Sequence, residues 1–124
     1  MIDDCIFCSS ELEVIAENKF AVAFYDKYPV TKYHILIIPK RHIASYFELQ
    51  PLELKGVEEL LFEQKEQLVK LDGTITGFNI GINVGEDAGQ TIYHAHMHLI
   101  PRRAGDMENP KGGVKGVIPE KQKY

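Results

Sequence analysis

The sequence predicts an α+β domain, with a five-stranded, mostly antiparallel sheet packed on one long helix. Three observations carry that prediction. Short apolar or alternating runs recur at 12–17, 20–25, 34–38, 78–83 and 93–100. One stretch of helical periodicity separates the third run from the fourth, and nothing in the chain repeats or falls to low complexity. Three strands, a helix and two more strands make an α+β order.

The elements follow in turn. Residues 12–17 and 20–25 read as strands around the polar turn Asn18-Lys19. The turn-like Asp26-Lys27-Tyr28-Pro29 leads to His34-Ile35-Leu36-Ile37-Ile38, which is short, β-branched and stopped by Pro39, so it reads as a buried strand. The helix should start near Pro51, a residue suited to a first helical position, with Glu53 reaching back toward the weak cap Gln50. Leu54, Val57, Leu61, Leu68 and Leu71 form its apolar stripe, and Gly73 offers a stop. Phe78, Ile80 and Ile82 alternate with Asn79, Gly81 and Asn83, the pattern of a strand with one buried face. After the loop 85–90, a last strand runs from Tyr93 to Ile100 and is closed by Pro101. The domain is therefore read as residues 1–101. Residues 102–124, rich in glycine, proline and charge, are read as an extended tail.

Composition narrows the function. The 124 residues fit one domain, and 44% hydrophobic residues with six tyrosines and six phenylalanines can form a core. A formal charge of −4 argues against a nucleic-acid polymer or an anionic membrane as partner, since either wants a large basic surface. A small phosphorylated ligand remains compatible. No apolar run approaches the roughly 20 residues of a membrane span. Residues 1–5 show no basic stretch followed by an apolar one, so no signal peptide is read and a cytoplasmic location is expected. The only cysteines are Cys5 and Cys8. In a reducing compartment such a Cys-x-x-Cys pair reads as metal-binding or redox-active rather than as a structural disulfide.

The chemistry concentrates at the end of the chain's last strand. His94, His96 and His98 alternate with Ala95, Met97 and Leu99, so on a strand the three imidazoles share one face and the apolar residues enter the core. Three uses of such a row are open. It can be a solvated face, a metal site built on one or two of its members, or a nucleophilic centre in which a neutral imidazole attacks phosphorus. All three on one ion is excluded by reach, because the outer pair would lie about 13 Å apart on a strand.

Gln90-Thr91-Ile92-Tyr93-His94-Ala95-His96-Met97-His98-Leu99-Ile100-Pro101-Arg102 resembles the signature of the histidine triad (HIT) family, three histidines alternating with apolar residues. Upstream companions are present too: Asp26, the run from His34 to His42, and Asn83 with Gly85, Gly89 and Gln90. The likeness spans nearly residues 5–102. It implies a HIT-like fold with one long and one short helix, dimeric, with a sheet continuous across two subunits. It also implies hydrolysis at a nucleotide α-phosphate through a covalent nucleotidyl-histidine, with a purine nucleotide or dinucleotide as substrate. On this pattern His96 is the nucleophile and His98 supports charge on the phosphate. Asn83, Gly89, Gln90 and Thr91 lie around the phosphate, Asp26 accepts from ribose hydroxyls, and Phe7 and Phe24 lie near the base. Glycine-loop N–H groups can approach phosphoryl oxygens closely. Taken singly, Asn83 and Gln90 are ordinary turn or edge residues, Asp26 an ordinary turn acid, and the two phenylalanines ordinary core.

Some family members bind structural zinc, and here Cys5, Cys8, His42 and His94 match that set, which suits a closed tetrahedral site. The tail resembles that of bacterial dinucleoside-polyphosphate hydrolases, and family dimers send this segment toward the neighbouring site. Its cations can meet a second phosphate chain or simply solvate a terminus. The histidine triad is shared among hydrolases of phosphoramidates or dinucleoside polyphosphates and nucleotidyltransferases, so it does not choose between them. A zinc hydrolase using the histidine row and a non-catalytic nucleotide-binding module are the rival classes.

Overall fold

Five strands pair in the order β1-β2-β3-β5-β4, and every neighbouring pair is antiparallel. They are β1 (Ala16–Glu17), β2 (Ala21–Tyr25), β3 (Ile35–Pro39), β4 (Ile75–Ile82) and β5 (Met97–Arg103), with one helix, α1 (Pro51–Leu71), between β3 and β4. The computed structural model describes residues 5–123. The reading of residues 1–4, on which the absence of a signal peptide partly rests, lies outside the described residues.

The apolar pattern divides the sheet into two faces. Ala21, Ala23, Ile35, Ile37 and Leu99 pack with Val57, Leu60 and Leu68 of α1. On the other face Phe24, Leu36 and Ile38 pack with Phe7 from the N-terminal segment. β3 is buried at all five positions because it carries apolar side chains to both layers.

α1 opens as the sequence predicts. Pro51 is its first residue, and the Gln50 N–H donates to Glu53 Oε1 at 2.8 Å. Glu53 also receives Arg41 at 2.9 and 2.8 Å, which ties the helix start to the end of β3. Val57 and Leu68 are buried as expected, but Leu71 is 58% exposed and Leu60 takes its place in the core. Gly56 is required by close approach, since a Cβ there would meet Phe20 Cβ at 3.0 Å and Asn18 Oδ1 at 3.1 Å. Asp72, rather than Gly73, ends the helix, its N–H donating to the Leu68 carbonyl.

Several boundaries differ from those expected. Residues 12–14 do not join the sheet, Ile15 gives its N–H to the Ala23 carbonyl at 2.8 Å, and β1 itself is only Ala16–Glu17. β4 begins at Ile75, and because it is the sheet's edge Ile80 is 48% exposed rather than buried. β5 starts at Met97, not at Tyr93. Before it the Ala95 N–H turns to the Ile43 carbonyl at 2.7 Å, so the chain there does not ladder with β3 or β4. Pro101 does not close β5. β3 begins with Ile35 opposite Leu99, so at Pro101 only β4 flanks the strand and a missing donor is tolerated.

No second, short α-helix forms among the described residues. The short helical segments are 3-10 turns at Ile6–Cys8, Tyr46–Glu48, Glu86–Ala88, Gly113–Val117 and Pro119–Lys121. The tail is thus partly ordered, and it folds back on β4, with Gly113 against the side chain of Asn79. Among the described residues no helix is long and apolar enough to cross a membrane.

Candidate active site

On the sheet face away from α1, a cleft of about 690 Å³ opens between the N-terminal segment and the start of β5. Phe7, Phe24, Leu36 and Ile92 form its apolar wall, and Asp26, Asn83, Thr91, His96 and His98 its polar one. Few sites combine an apolar wall with so many convergent polar groups unless they take a ligand.

Hydrogen bonds fix the tautomer of each buried imidazole. His96 donates from Nδ1 to the His94 carbonyl at 2.8 Å, so its Nε2 lone pair is bare. His96 is 8% exposed, and its exposed edge lies on the cleft. His94 donates from Nε2 to the Pro39 carbonyl at 2.8 Å, which leaves Nδ1 to face Cys8 and Cys5 at 3.5 and 3.7 Å. His34 receives the Val30 N–H on Nδ1 at 3.0 Å and donates from Nε2 to His98 Nδ1 at 2.9 Å. His98 therefore carries its proton on Nε2, a neutral donor on the cleft wall.

The Phe7 ring stands against both His94 and His96, at 6.2 and 5.1 Å, but the histidines of the motif meet different neighbours. His96 and His98 stand with ring centroids 5.2 Å apart on the cleft, while His94 packs edge-on against His42 at 5.0 Å, on the cysteine side. Cys8 Sγ lies 3.3 Å from His42 Nδ1. Cys5, Cys8, His42 and His94 thus bring four ligand atoms within 4.8 Å of one another, a group that could hold a metal ion.

The other expected residues divide. Asp26 lies on the cleft, with Oδ1 accepting the Tyr28 N–H at 2.9 Å and Oδ2 3.6 Å from His34 Nε2. Asn83, Gly89 and Thr91 also line the cleft. Gln90 does not. It is 4% exposed, its Oε1 accepts the Gly85 N–H, and its Nε2 donates to the carbonyls of Ala44 and Ile92. It braces the loop from inside. Gly85 and Gly89 have φ of 91° and 94°, a conformation that favours glycine. The N–H groups of residues 85, 88, 89 and 90 are spent within this loop, so the expected backbone cradle is not free there.

In the tail, Arg102 is paired with Asp106 and Arg103 with Asp72, so neither waits free for a second phosphate chain.

Sequence reasoning named His34 only within the run that accompanies the motif and gave it no role in the site. A signal was present: an imidazole heading an otherwise apolar strand must find a buried partner.

Burial first, then the nearby His96 and His34, holds His98 down to about 4 against an ordinary 6.5. Unfolded chains take up that proton as pH falls through 6.5, whereas the native site resists until about 4. The unfolded state binds more protons across this window, so stability is lost as pH falls through it. Urea midpoints should drop from about pH 6.5 to about pH 4, and His98→Gln should flatten the decline. An unchanged slope in that variant would rule out this source.

The model of the HIT domain matches residues 9–105, across the sheet, the cleft and the motif. The chain belongs to the HIT-domain family. An uncharacterized HIT-like protein of Methanocaldococcus jannaschii is 40% identical to this HIT chain over 123 residues, which cover 91% of each. The bis(5'-nucleosyl)-tetraphosphatase (asymmetrical) of Schizosaccharomyces pombe is 34% identical over 94 residues, covering 76% of the HIT chain and 51% of that protein. The HIT chain therefore spans about half the length of this second relative. Among solved structures, a Zn-bound histidine triad family protein from Mycobacterium smegmatis superposes with a TM-score of 0.73 at 30% identity, covering 86% of the HIT chain and 80% of its own.

Proposed function

We propose that this HIT-family hydrolase cleaves nucleotide phosphate bonds at the α-phosphate, in dinucleoside polyphosphates or nucleoside phosphoramidates, through a nucleotidyl group held on His96. One observation carries the reading: the Nδ1–H of His96 is tied to the His94 carbonyl, which leaves the Nε2 lone pair on a cleft with an apolar wall. The likeness to a tetraphosphatase favours the polyphosphate class.

The reaction balances in two steps. His96 Nε2 attacks phosphorus, the new P–N bond forms, and the bond to the leaving group breaks with its electron pair, a polyphosphate departing as its anion and an amine taking up one proton from solvent as it departs. The His94 carbonyl faces the ring as positive charge develops on it, and the Nε2–H of His98 donates to the phosphoryl or leaving atom. Water then attacks phosphorus, the P–N bond breaks, a water proton is released, and His96 regains its lone pair. Asp26 is placed for ribose hydroxyls, Asn83 and Thr91 for phosphoryl oxygens, and Phe7 and Phe24 for a base.

Cys5, Cys8, His42 and His94 are the zinc ligands in this reading. With bonds of about 2.3 Å to sulfur and about 2.0 Å to nitrogen, tetrahedral zinc holds sulfur and nitrogen about 3.5 Å apart. The measured sulfur–nitrogen separations are 3.3, 3.5 and 3.7 Å. The Nε2–H of His94, bound to Pro39, supplies the outer contact such a ligand needs. A closed four-ligand site supplies folding energy, with no position left for water.

The protein is proposed to be a cytoplasmic homodimer whose sheet continues through β4. This strand is the sheet's edge and carries Ile80, 48% exposed. A long edge strand that exposes an apolar residue invites pairing. The tail, seated on β4, would then lie beside the partner. Sedimentation should give a dimer for the wild type and a monomer for Ile80→Lys; a wild-type monomer at micromolar concentration would reject the arrangement.

The function is tested by mixing the protein with diadenosine tetraphosphate and measuring products and intact mass after rapid quenching. Release of a mononucleotide with a nucleotidyl increment mapped to His96 is expected. Turnover that needs metal and leaves no adduct would replace this reading with a metal hydrolase. Binding without turnover would make the chain a nucleotide-binding module, and transfer to a non-water acceptor a nucleotidyltransferase.

A further inference from the structure

The N-terminal segment reaches the cleft without joining the sheet. Among the described residues, the backbone hydrogen bonds of residues 5–14 all close within that segment: Cys8 to Cys5, Ser9 to Ile6, Leu12 to Ser9 and Val14 to Leu12. Only side chains fasten it to the body. Two of them are the cysteines, through His42 and His94. A third is Phe7, whose ring stands 5.1 Å from that of His96 and 5.3 Å from that of Phe24. The intervening turn, Ile6–Cys8, is a single 3-10 turn, too short to hold itself.

This places two functions in four residues. Cys5 and Cys8 face the metal cluster, while Ile6 and Phe7 between them line the cleft. Ile6 is 59% exposed, a large apolar side chain on the cleft lining. We infer that the metal held by Cys5, Cys8, His42 and His94 fastens one wall of the base pocket, so that metal and nucleotide base bind cooperatively. The inference rests on the nucleotide and zinc readings above and adds a coupling between them. Without the ion, Cys5 and Cys8 meet His42 and His94 only through weak thiol contacts rather than metal–ligand bonds. The Phe7 ring, packed with Phe24, Leu36 and Ile38, is then the main anchor of the turn, and fixing the exposed Ile6 falls to the base at its own cost in affinity. The coupling is reciprocal, so the base must tighten the metal by the same factor.

The test uses the full-length protein, zinc, AMP, and ribose 5-phosphate as the same ligand without a base. Titration into zinc-loaded and zinc-stripped protein should show AMP weakened about tenfold by stripping, and ribose 5-phosphate changed by less than about twofold. If the stripped protein unfolds, the same coupling is read from the loaded side. Saturating AMP should raise the chelator concentration needed to extract zinc about tenfold, and ribose 5-phosphate should not. Ile6→Ser, at an exposed position, should weaken AMP in the loaded protein and shrink the ratio toward one. Equal zinc retention with and without AMP overturns the coupling alone. Failure of the loaded protein to bind AMP overturns the nucleotide reading and the coupling with it.

Discussion

Replacing His96 with alanine should cut turnover of diadenosine tetraphosphate by at least about 10⁴-fold, while AMP binding changes by only a few-fold. The asymmetry follows from where the imidazole acts. In the ground state it is one of several groups on the cleft wall, beside Phe7, Phe24, Asp26 and Thr91. In the proposed first transition state it supplies the attacking lone pair on Nε2, since its Nδ1 is committed to the His94 carbonyl. Loss of such an interaction lowers the rate and spares binding. His96→Gly with added imidazole refines the test, since a diffusing nucleophile should restore part of the rate and leave no adduct on the protein. Retention of more than about a tenth of wild-type turnover in His96→Ala would end the covalent reading.

Cys8→Ser should remove bound zinc and most of the metal's contribution to stability. At free zinc about a thousand times Kd, that contribution is about 4 kcal/mol. Cys8 is the sulfur nearest both imidazoles, 3.3 Å from His42 and 3.5 Å from His94, so its loss leaves no compact set. The expected readings are one zinc per wild-type chain after purification without added metal, none in the variant, and a lower urea midpoint. Chelation of the wild type should reproduce the shift, and chelation of the variant should add nothing. A variant that keeps both its zinc and its midpoint would show that the four residues are not a metal site.

Much of this was legible before any coordinates. β3, α1 and the order of elements follow from periodicity, because burial on one or two faces writes itself directly into the spacing of apolar residues. The cysteine pair was legible as a metal or redox motif by residue type, and the resemblance to zinc-binding HIT proteins added His42 and His94. Other features depend on contacts between distant segments. That residues 94–96 leave the strand follows from the Ile43 carbonyl taking the Ala95 N–H, which no local pattern announces. Gln90 looked like a phosphate ligand because an amide suits either role, and only its partners, Ala44 and Ile92, show it bracing the loop. His34 passed as the polar head of a strand until its bond to His98 was seen. The exposed Ile80 reflects β4's place at the edge, which is a fact of topology rather than of sequence spacing.

The run from Ala95 to Leu99 interleaves two independent requirements. Ala95 and Leu99 are buried, at 2% and 0% exposure, while His96 and His98 between them border the cleft. The stretch therefore has a parity. Swapping one apolar residue for another at 95 or 99 disturbs only packing, but deleting a single codon inside it would turn imidazoles into the hydrocarbon layer and leave aliphatic groups facing the ligand. Variation in this segment can change its letters but not its length.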